Sequence, residues 1–421
     1  MLNKGDPTLM EKLIGNAIVG QSGGPTVAIN ATLSGVIRGA KECDAIEKIF
    51  GACNGIEGVL ESRFIDLTDM TEEDLSLLET TPAAALGSCR KKLPKNFDGD
   101  NRKVYLDILE IFKKNNIRYF FYIGGNDSMD TVAKLSRFMA EEGYEMRVMG
   151  VPKTIDNDLA GTDHTPGFGS AAKYIATTMQ EILRDTAVYT VKAVTIVEIM
   201  GRDAGWLTAS AALPSLYSDV TPDLVYLPEV TFDYDKFYED LAKAFEKHPN
   251  VVVAVSEGVR TADGTYVGEG TQSGAVDAFG HKYLSGTGKA LELAVKDKFG
   301  CKVRSIELNL PQRCASHLAS KTDLDESVAI GRAAAWYAAS GESGKMMIFV
   351  RGGDADHYEM GIDSSDIEGI ANVVRSVPRE YINERGNGVT RECLSYIAPL
   401  VMGEPKLTFE GGIPKHFVFK K

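Results

Sequence analysis

The sequence predicts an α/β protein: two Rossmann-like, three-layer α/β/α domains built on mainly parallel sheets, with the functional site in the cleft between them. Three observations predict it. Short β-rich runs alternate along the chain with segments of helical periodicity. Most of those runs are apolar at both odd and even positions, as strands covered by helices on both faces must be. The chain has 421 residues, 44% of them hydrophobic, a length that suits two cores better than one.

The strand-like runs, in order, are Ala17–Gly20, Tyr119–Ile123, Arg147–Val151, Val194–Ile199, Val251–Val255, Val303–Leu308 and Met346–Val350. Between them, Gly169–Ala187 reads as a helix because Ile175, Met179, Ile182 and Leu183 share one face. Glu326–Ser340 reads as another. Such alternation gives parallel sheets with helices on both faces. The expected division is residues 1–160 plus part of the C-terminal region, about 161–340, and a segment 341–421 packing across both. Val259–Gly288, rich in Gly, Thr and Ser, is expected to be a surface excursion or a site loop.

Composition narrows the function. A net charge of −13 argues against nucleic acid or an anionic membrane as partner, and requires local Lys and Arg wherever an anion binds. The start of the chain has no apolar run of signal-peptide length, and no stretch approaches the roughly 20 apolar residues of a membrane span. Six cysteines lie far apart without a CxxC pair, and six histidines form no HxH or HxxxH cluster. They are expected to be small buried residues of a protein from the reducing cytoplasm, not zinc or disulfide sites.

In parallel sheets the chemistry lies just beyond the carboxyl ends of the strands. Here six strand candidates run into QSGGPT, GGNDS, PKTIDND, MGRDAG, SEG and NLPQR. Gly23 and Gly24 stand between a strand and a helix expected from Val27, where glycines admit an anion to free helix N–H groups. A tight turn explains them equally well, and no GK[ST] follows. Gly125, Asn126 and Asp127 repeat the pattern, with Asp127 or Ser128 as the expected helix cap. Asn126 and Asp127 offer hard oxygens of the kind Mg²⁺ takes. In PKTIDND, residues two apart in an extended loop face one side, so Thr154, Asp156 and Asp158 converge. A carboxylate that accepts a hydroxyl proton and another on the metal side are what phosphoryl transfer needs. An Asx-rich turn is the plain alternative. Lys153 beside two carboxylates favours a bound anion. Met200, Gly201 and Arg202, then Glu257, then Arg304 and Arg313, follow or bracket later strands. Arg90 lies in a basic loop, Gly87–Lys92.

These pieces together, SGGPTVAIN, LGSCR, IGGNDS, PKTIDND, GFGSA, VEIMGRDAGW, SEG and VRSIELNLPQR, resemble the phosphofructokinase A family, which phosphorylates fructose 6-phosphate on its 1-hydroxyl. The resemblance runs from about Gly15 to at least Arg351. It implies that the first domain holds the phosphoryl donor and the second the sugar phosphate. Asp156 would be the proton acceptor, with Thr154 and Asp158 at the transferred phosphoryl and metal. Ile155, Met200, Gly201, Arg202 and Glu257 would contact the sugar. Arg304 and Arg313 would grip its 6-phosphate, one of them across a subunit interface, which implies a homodimer or homotetramer. Gly23, Gly24, Arg90 and Gly125 would hold the donor, with Mg²⁺ at Asn126 and Asp158.

ATP-dependent members resemble GGDGS and PGTIDND. This chain has Asp127 and Lys153 at those glycines, as in the pyrophosphate-dependent branch. A carboxylate at Asp127 occupies and repels the space of an α-phosphate, and the Lys153 ammonium neutralises a transferring phosphoryl. Asn126 stands where many members have Asp, Leu310 where many have His or Tyr, and Ala193 where many have Arg, with Lys192 beside it. The alternatives are an ATP-dependent kinase of the same fold, a non-catalytic regulatory subunit, which the intact TIDND and MGR oppose, and a lipid or NAD kinase, which shares only the second glycine motif.

Overall fold

A computed structural model describes residues 12–269, 286–353, 357–370 and 373–419. The chain lays down β1 (Gly15–Gln21), β2 (Ile46–Ala52), β3 (Phe64–Asp66), β4 (Ile117–Gly124) and β5 (Arg147–Pro152). It then builds a second sheet from β6 (Ala193–Ile199), β7 (Leu224–Tyr226), β8 (Asn250–Ser256) and β9 (Lys302–Glu307), and returns with β10 (Lys345–Gly353) and β11 (Tyr358–Asp366). The first sheet has the order β11-β10-β5-β4-β1-β2-β3, parallel except for the antiparallel edge pairs β2–β3 and β10–β11. The second, β7-β8-β6-β9, is parallel throughout.

Strand β4 shows why runs apolar on both parities form the centre. Tyr119, Phe121 and Ile123 face one core; Phe120 and Tyr122 face another. Each fully buried Phe removes enough apolar surface to contribute about 2 kcal/mol. In the second sheet, Val197 and Ile199 of β6 point to one cluster and Val194 and Ile196 to another.

The seven expected strands all appear, within a few residues at their ends. Strands β2, β3, β7 and β11 were not predicted. β3, β7 and β11 are sheet edges, β3 and β11 lack two-sided burial, β3 and β7 are only three residues long, and β2, though interior, exposes Glu47 and Lys48 at its start. The helix expected at Gly169–Ala187 runs Phe168–Thr186, and that expected at Glu326–Ser340 begins earlier, at Lys321, and ends at Ala339.

The expected boundary near residue 340 cuts the packing differently. Helix Lys321–Ala339 lies on helix Ile29–Lys41 of the first domain, so closely that a Cβ at Gly35 would stand 2.1 Å from the Val328 carbonyl oxygen and one at Gly331 2.2 Å from that of Thr32. The chain after residue 341 then serves both domains. β10 and β11 extend the first sheet, while Val377, Ile382, Cys393, Leu394, Ile397 and Leu400 join Phe168 and Trp206 in a core of the second. The part of the Gly/Thr/Ser-rich stretch from 270 to 285 lies outside the described residues. No helix among the described residues is long and apolar enough to cross a membrane.

Candidate active site

A cleft of about 480 Å³ opens between the two sheets. The loops after β1, β4 and β5 line it from one side and those after β6 and β8 from the other, with Arg313 on the short helix Pro311–Cys314 beyond β9. Ser22–Thr26, Gly125–Ser128, Lys153–Asp156, Asp158, Met200, Arg202 and Glu257 all border it.

The loop leaving β5 carries the carboxylate pair. Asn157 takes a left-handed conformation with φ 54°, which Asn tolerates better than other non-glycine residues. This turn leaves Asp156 and Asp158 both on the cleft wall. The Thr154 hydroxyl accepts the Asp156 N–H at 3.1 Å, and Thr165 donates to the Thr154 carbonyl at 2.7 Å. Burial, then the like charge of Asp158, pushes Asp156 up to about 7, with Arg202 and Lys153 opposing. Burial raises Asp158 as well, against its own backbone N–H, Lys153 and Thr154. Burial lowers the Lys153 ammonium to about 8, although Asp156 and Asp158 favour its charge.

Lys153 also ties this loop to the first glycine turn, since its Nζ donates to the Gly24 carbonyl at 2.6 Å. Gly23 has φ 78°; a Cβ there would approach Lys153 Nζ to 3.2 Å, and one on Gly24 would approach Arg313 Nη1 to 3.4 Å. The glycines thus keep open a space flanked by two cations. The Ser88 hydroxyl donates to the Gly23 carbonyl at 2.6 Å and holds the basic loop against this turn. The helix after β4 spans Asn126–Glu141 with Gly125 as its N-cap and no side-chain cap. Asp127 and Ser128 therefore lie in its first turn, not at the cap position expected for one of them. The helix start, Gly125–Ser128, borders the cleft, and the positive end of a helix favours an anion there. Asp127 pairs with Lys92 at 2.9 Å.

On the opposite wall, Gly201 N–H points to Glu257 Oε1 at 3.4 Å, Met200 N–H donates to Gln312 Oε1 at 3.1 Å, and Ser256 donates to the Gly201 carbonyl at 2.6 Å. Burial and the charge of Asp156 push Glu257 up to about 8.

Arg304 is not brought to this cleft. It sits on β9, the edge of the second sheet, near Thr195, Asp185 and Ile306, and an edge strand directs it away from its own chain's site. Arg313 does enter, but on the Gly24 side beside Arg90. Lys192, beside Ala193, does not line the cleft, and its ammonium lies over the Phe245 ring at 4.1 Å. Leu310 is half exposed and does not line the cleft. Residues that sequence reasoning missed include Lys92, Asp203 and Val374 at the cleft, and Gln312, Arg375 and Tyr396 behind it. Lys92 had a signal as part of the basic loop, and Asp203 and Gln312 lie inside the strand-exit motifs MGRDAG and NLPQR; Val374, Arg375 and Tyr396 had none.

The donor set fits Mg²⁺ in a limited way. Asn126 Oδ1 is buried without a hydrogen-bond partner, and Asp158 adds a carboxylate. No group of three or more His, Cys, Asp or Glu that could hold a metal exists among the described residues. That suits an ion that keeps waters and takes substrate oxygens, not one caged by protein.

Comparison with known proteins places this cleft in a class. The profile described as Phosphofructokinase matches residues 16–333, and the chain belongs to that family. Two of its relatives, from Halomonas elongata and Xanthomonas campestris, are pyrophosphate–fructose 6-phosphate 1-phosphotransferases. They are 41% and 40% identical to this chain, the first covering 95% of both chains and the second 96% of both. The crystal structure of a pyrophosphate-dependent phosphofructokinase from Nitrosospira multiformis superposes with a TM-score of 0.86 at 36% identity, covering 96% of this chain and 95% of its own.

Proposed function

We propose that the chain transfers a phosphoryl group from pyrophosphate to the 1-hydroxyl of fructose 6-phosphate, giving fructose 1,6-bisphosphate and phosphate. The observation that carries this reading is Lys153, whose ammonium donates to the Gly24 carbonyl and shares the cleft wall with Asp156 and Asp158. In this arrangement the sugar lies against Met200, Gly201, Arg202 and Glu257, with its 1-hydroxyl at Asp156. Asp156 takes the hydroxyl proton as the oxygen attacks the terminal phosphorus, and the bridging P–O bond breaks to release phosphate. A carboxylate held near neutrality suits that exchange in both directions, and we expect the reaction to run both ways.

Lys153, Arg90 and the glycine turns hold the diphosphate and take up the charge that moves onto the leaving phosphate. Asp127, paired with Lys92, closes the side on which ATP would extend. Asp158 and the Asn126 amide oxygen would hold Mg²⁺, which supplies charge neutralisation on the donor oxygens when bound. Arg304 completes the 6-phosphate grip of a neighbouring copy in a homodimer or homotetramer. The free cysteines fit a cytoplasmic location.

The test is product analysis. Purified chain with fructose 6-phosphate, pyrophosphate and Mg²⁺ yields fructose 1,6-bisphosphate and phosphate in equal amounts, and the reverse mixture regenerates pyrophosphate. Pyrophosphate hydrolysis without sugar phosphorylation contradicts the reading.

A further inference from the structure

The turn at Asn157 is the least self-sufficient part of the catalytic loop. Its backbone is left-handed, its side chain is buried, and its Oδ1 has no hydrogen-bond partner. One group fixes it from outside. Asn157 Nδ2 donates at 3.0 Å to the hydroxyl of Tyr396, on the C-terminal helix Arg391–Ile397. That hydroxyl is saturated. It donates to the Asp163 carbonyl at 2.7 Å and accepts from Arg375 Nη1 and Nη2 at 3.3 Å each.

Arg375 closes the frame. Its backbone N–H donates to the Asp158 carbonyl at 2.8 Å, and its own carbonyl accepts Trp206 Nε1 at 3.0 Å. Its guanidinium lies 4.5 Å over the Trp206 ring, which stands 5.1 Å from that of Tyr396. Asp156 is thus bracketed. The residue after it is held by Tyr396, and the one after that by Arg375, while Trp206 opens the helix that follows the Met200–Gly205 loop.

We infer that Tyr396 is a positioning residue for the phosphoryl transfer, its hydroxyl holding the Asn157 turn so that Asp156 faces the sugar hydroxyl. Tyr396 does not line the cleft and touches no substrate; it acts through Asn157. The consequence is specific. Removing the hydroxyl lets the turn relax, which misaligns the proton acceptor, while the glycine turns and the Met200–Arg202 and Glu257 wall keep their geometry. Misplacement of an acceptor lowers the rate of the chemical step far more than binding.

The inference rests on the function proposed above only in naming Asp156 as the acceptor. The experiment compares wild type with Tyr396→Phe, Asn157→Gly and the double variant, using whichever donor turns over the wild type, so a wrong donor assignment leaves the comparison intact. Glycine at 157 adopts the left-handed turn freely but has no amide to tie. The expected result for Tyr396→Phe is a kcat reduced at least tenfold, with KM for sugar and donor within about twofold. Asn157→Gly shows the same split, and the double variant is no worse than the poorer single one. A kcat within twofold of wild type for Tyr396→Phe, a rise in KM with kcat unchanged, or losses that multiply in the double variant overturns it. Should Tyr396→Phe fail to fold, Asn157→Gly carries the test alone, and an unchanged kcat there overturns the inference.

Discussion

Two buried groups of charges are centred within a dozen residues of each other on the chain, at Lys153–Asp158 and at Asp163–His164, and they are electrostatic opposites. In the cleft, Asp156, Asp158 and Glu257 are all pushed up and Lys153 is pulled down, each towards its neutral form, because burial outweighs the partners present. A few residues on, His164 has Asp163 at 2.9 Å on one ring nitrogen and Glu326 at 2.9 Å on the other, and its ring stacks on Phe349 at 4.5 Å. Arg351 holds Asp163 in turn at 3.0 Å, and the Tyr358 hydroxyl donates to Glu326 at 2.8 Å. Burial opposes charge here too. Yet hydrogen bonds to the two carboxylates raise His164, those from His164 and Arg351 lower Asp163, and Asp163 raises Arg351. All three of these shifts favour the charged form. The second cluster is complete as it stands; the first is completed by charged ligands. Uncompensated burial of several ionisable groups in a cleft marks a site, whereas burial alone does not.

The comparison can be broken most sharply at Asp156. Asp156→Asn should lower kcat by about 10³-fold through loss of the proton acceptor, with fructose 6-phosphate binding retained by calorimetry. Since the wild-type carboxylate is held in an unfavourable place, the melting temperature of the unliganded variant should rise; a drop would mean that the cleft charges are satisfied after all. Lys153→Met follows, with kcat down about 10²-fold in a pyrophosphate assay and again no loss of stability.

The opposite outcome is expected at His164. His164→Gln leaves Asp163 and Glu326 short of a buried cation and should cost roughly 3 kcal/mol in denaturant unfolding, with donor preference unchanged. The sign with pH follows from the raised folded pKa. The imidazolium's contribution is fully present below the unfolded value of about 6.5 and is lost as pH rises through the folded value. The stability gap between wild type and variant should therefore narrow on the alkaline side. A gap that widens there contradicts the charged assignment. The smallest effect is a gain. Asp127→Gly should acquire measurable ATP-supported turnover, and none at all would remove Asp127 from the account of donor choice.

Much of this was legible in the sequence for one reason. Buried parallel strands are apolar on both parities and hand the chain to the site at their ends, so β1, β4, β5, β6 and β8 and the loops after them could be read in order. Edge strands β3, β7 and β11 lack that signature. The helix Lys321–Ala339 is visible as a helix, but the domain it joins is decided by glycines that face each other only after folding. Asn157 could be seen in PKTIDND, whereas its partner Tyr396 lies in another domain's core, and no local pattern connects them. Arg304 and Arg313 share one motif, yet only the second enters this chain's cleft, because strand β9 ends between them.

The central claim is the donor, and one measurement bears on it most directly. Initial rates at saturating fructose 6-phosphate and Mg²⁺, with pyrophosphate or ATP varied in turn, should give a kcat/KM for pyrophosphate at least about a hundredfold above that for ATP, equivalent to roughly 2.7 kcal/mol of discrimination. Equal values, or efficient turnover with ATP alone, would contradict the roles given to Lys153 and Asp127.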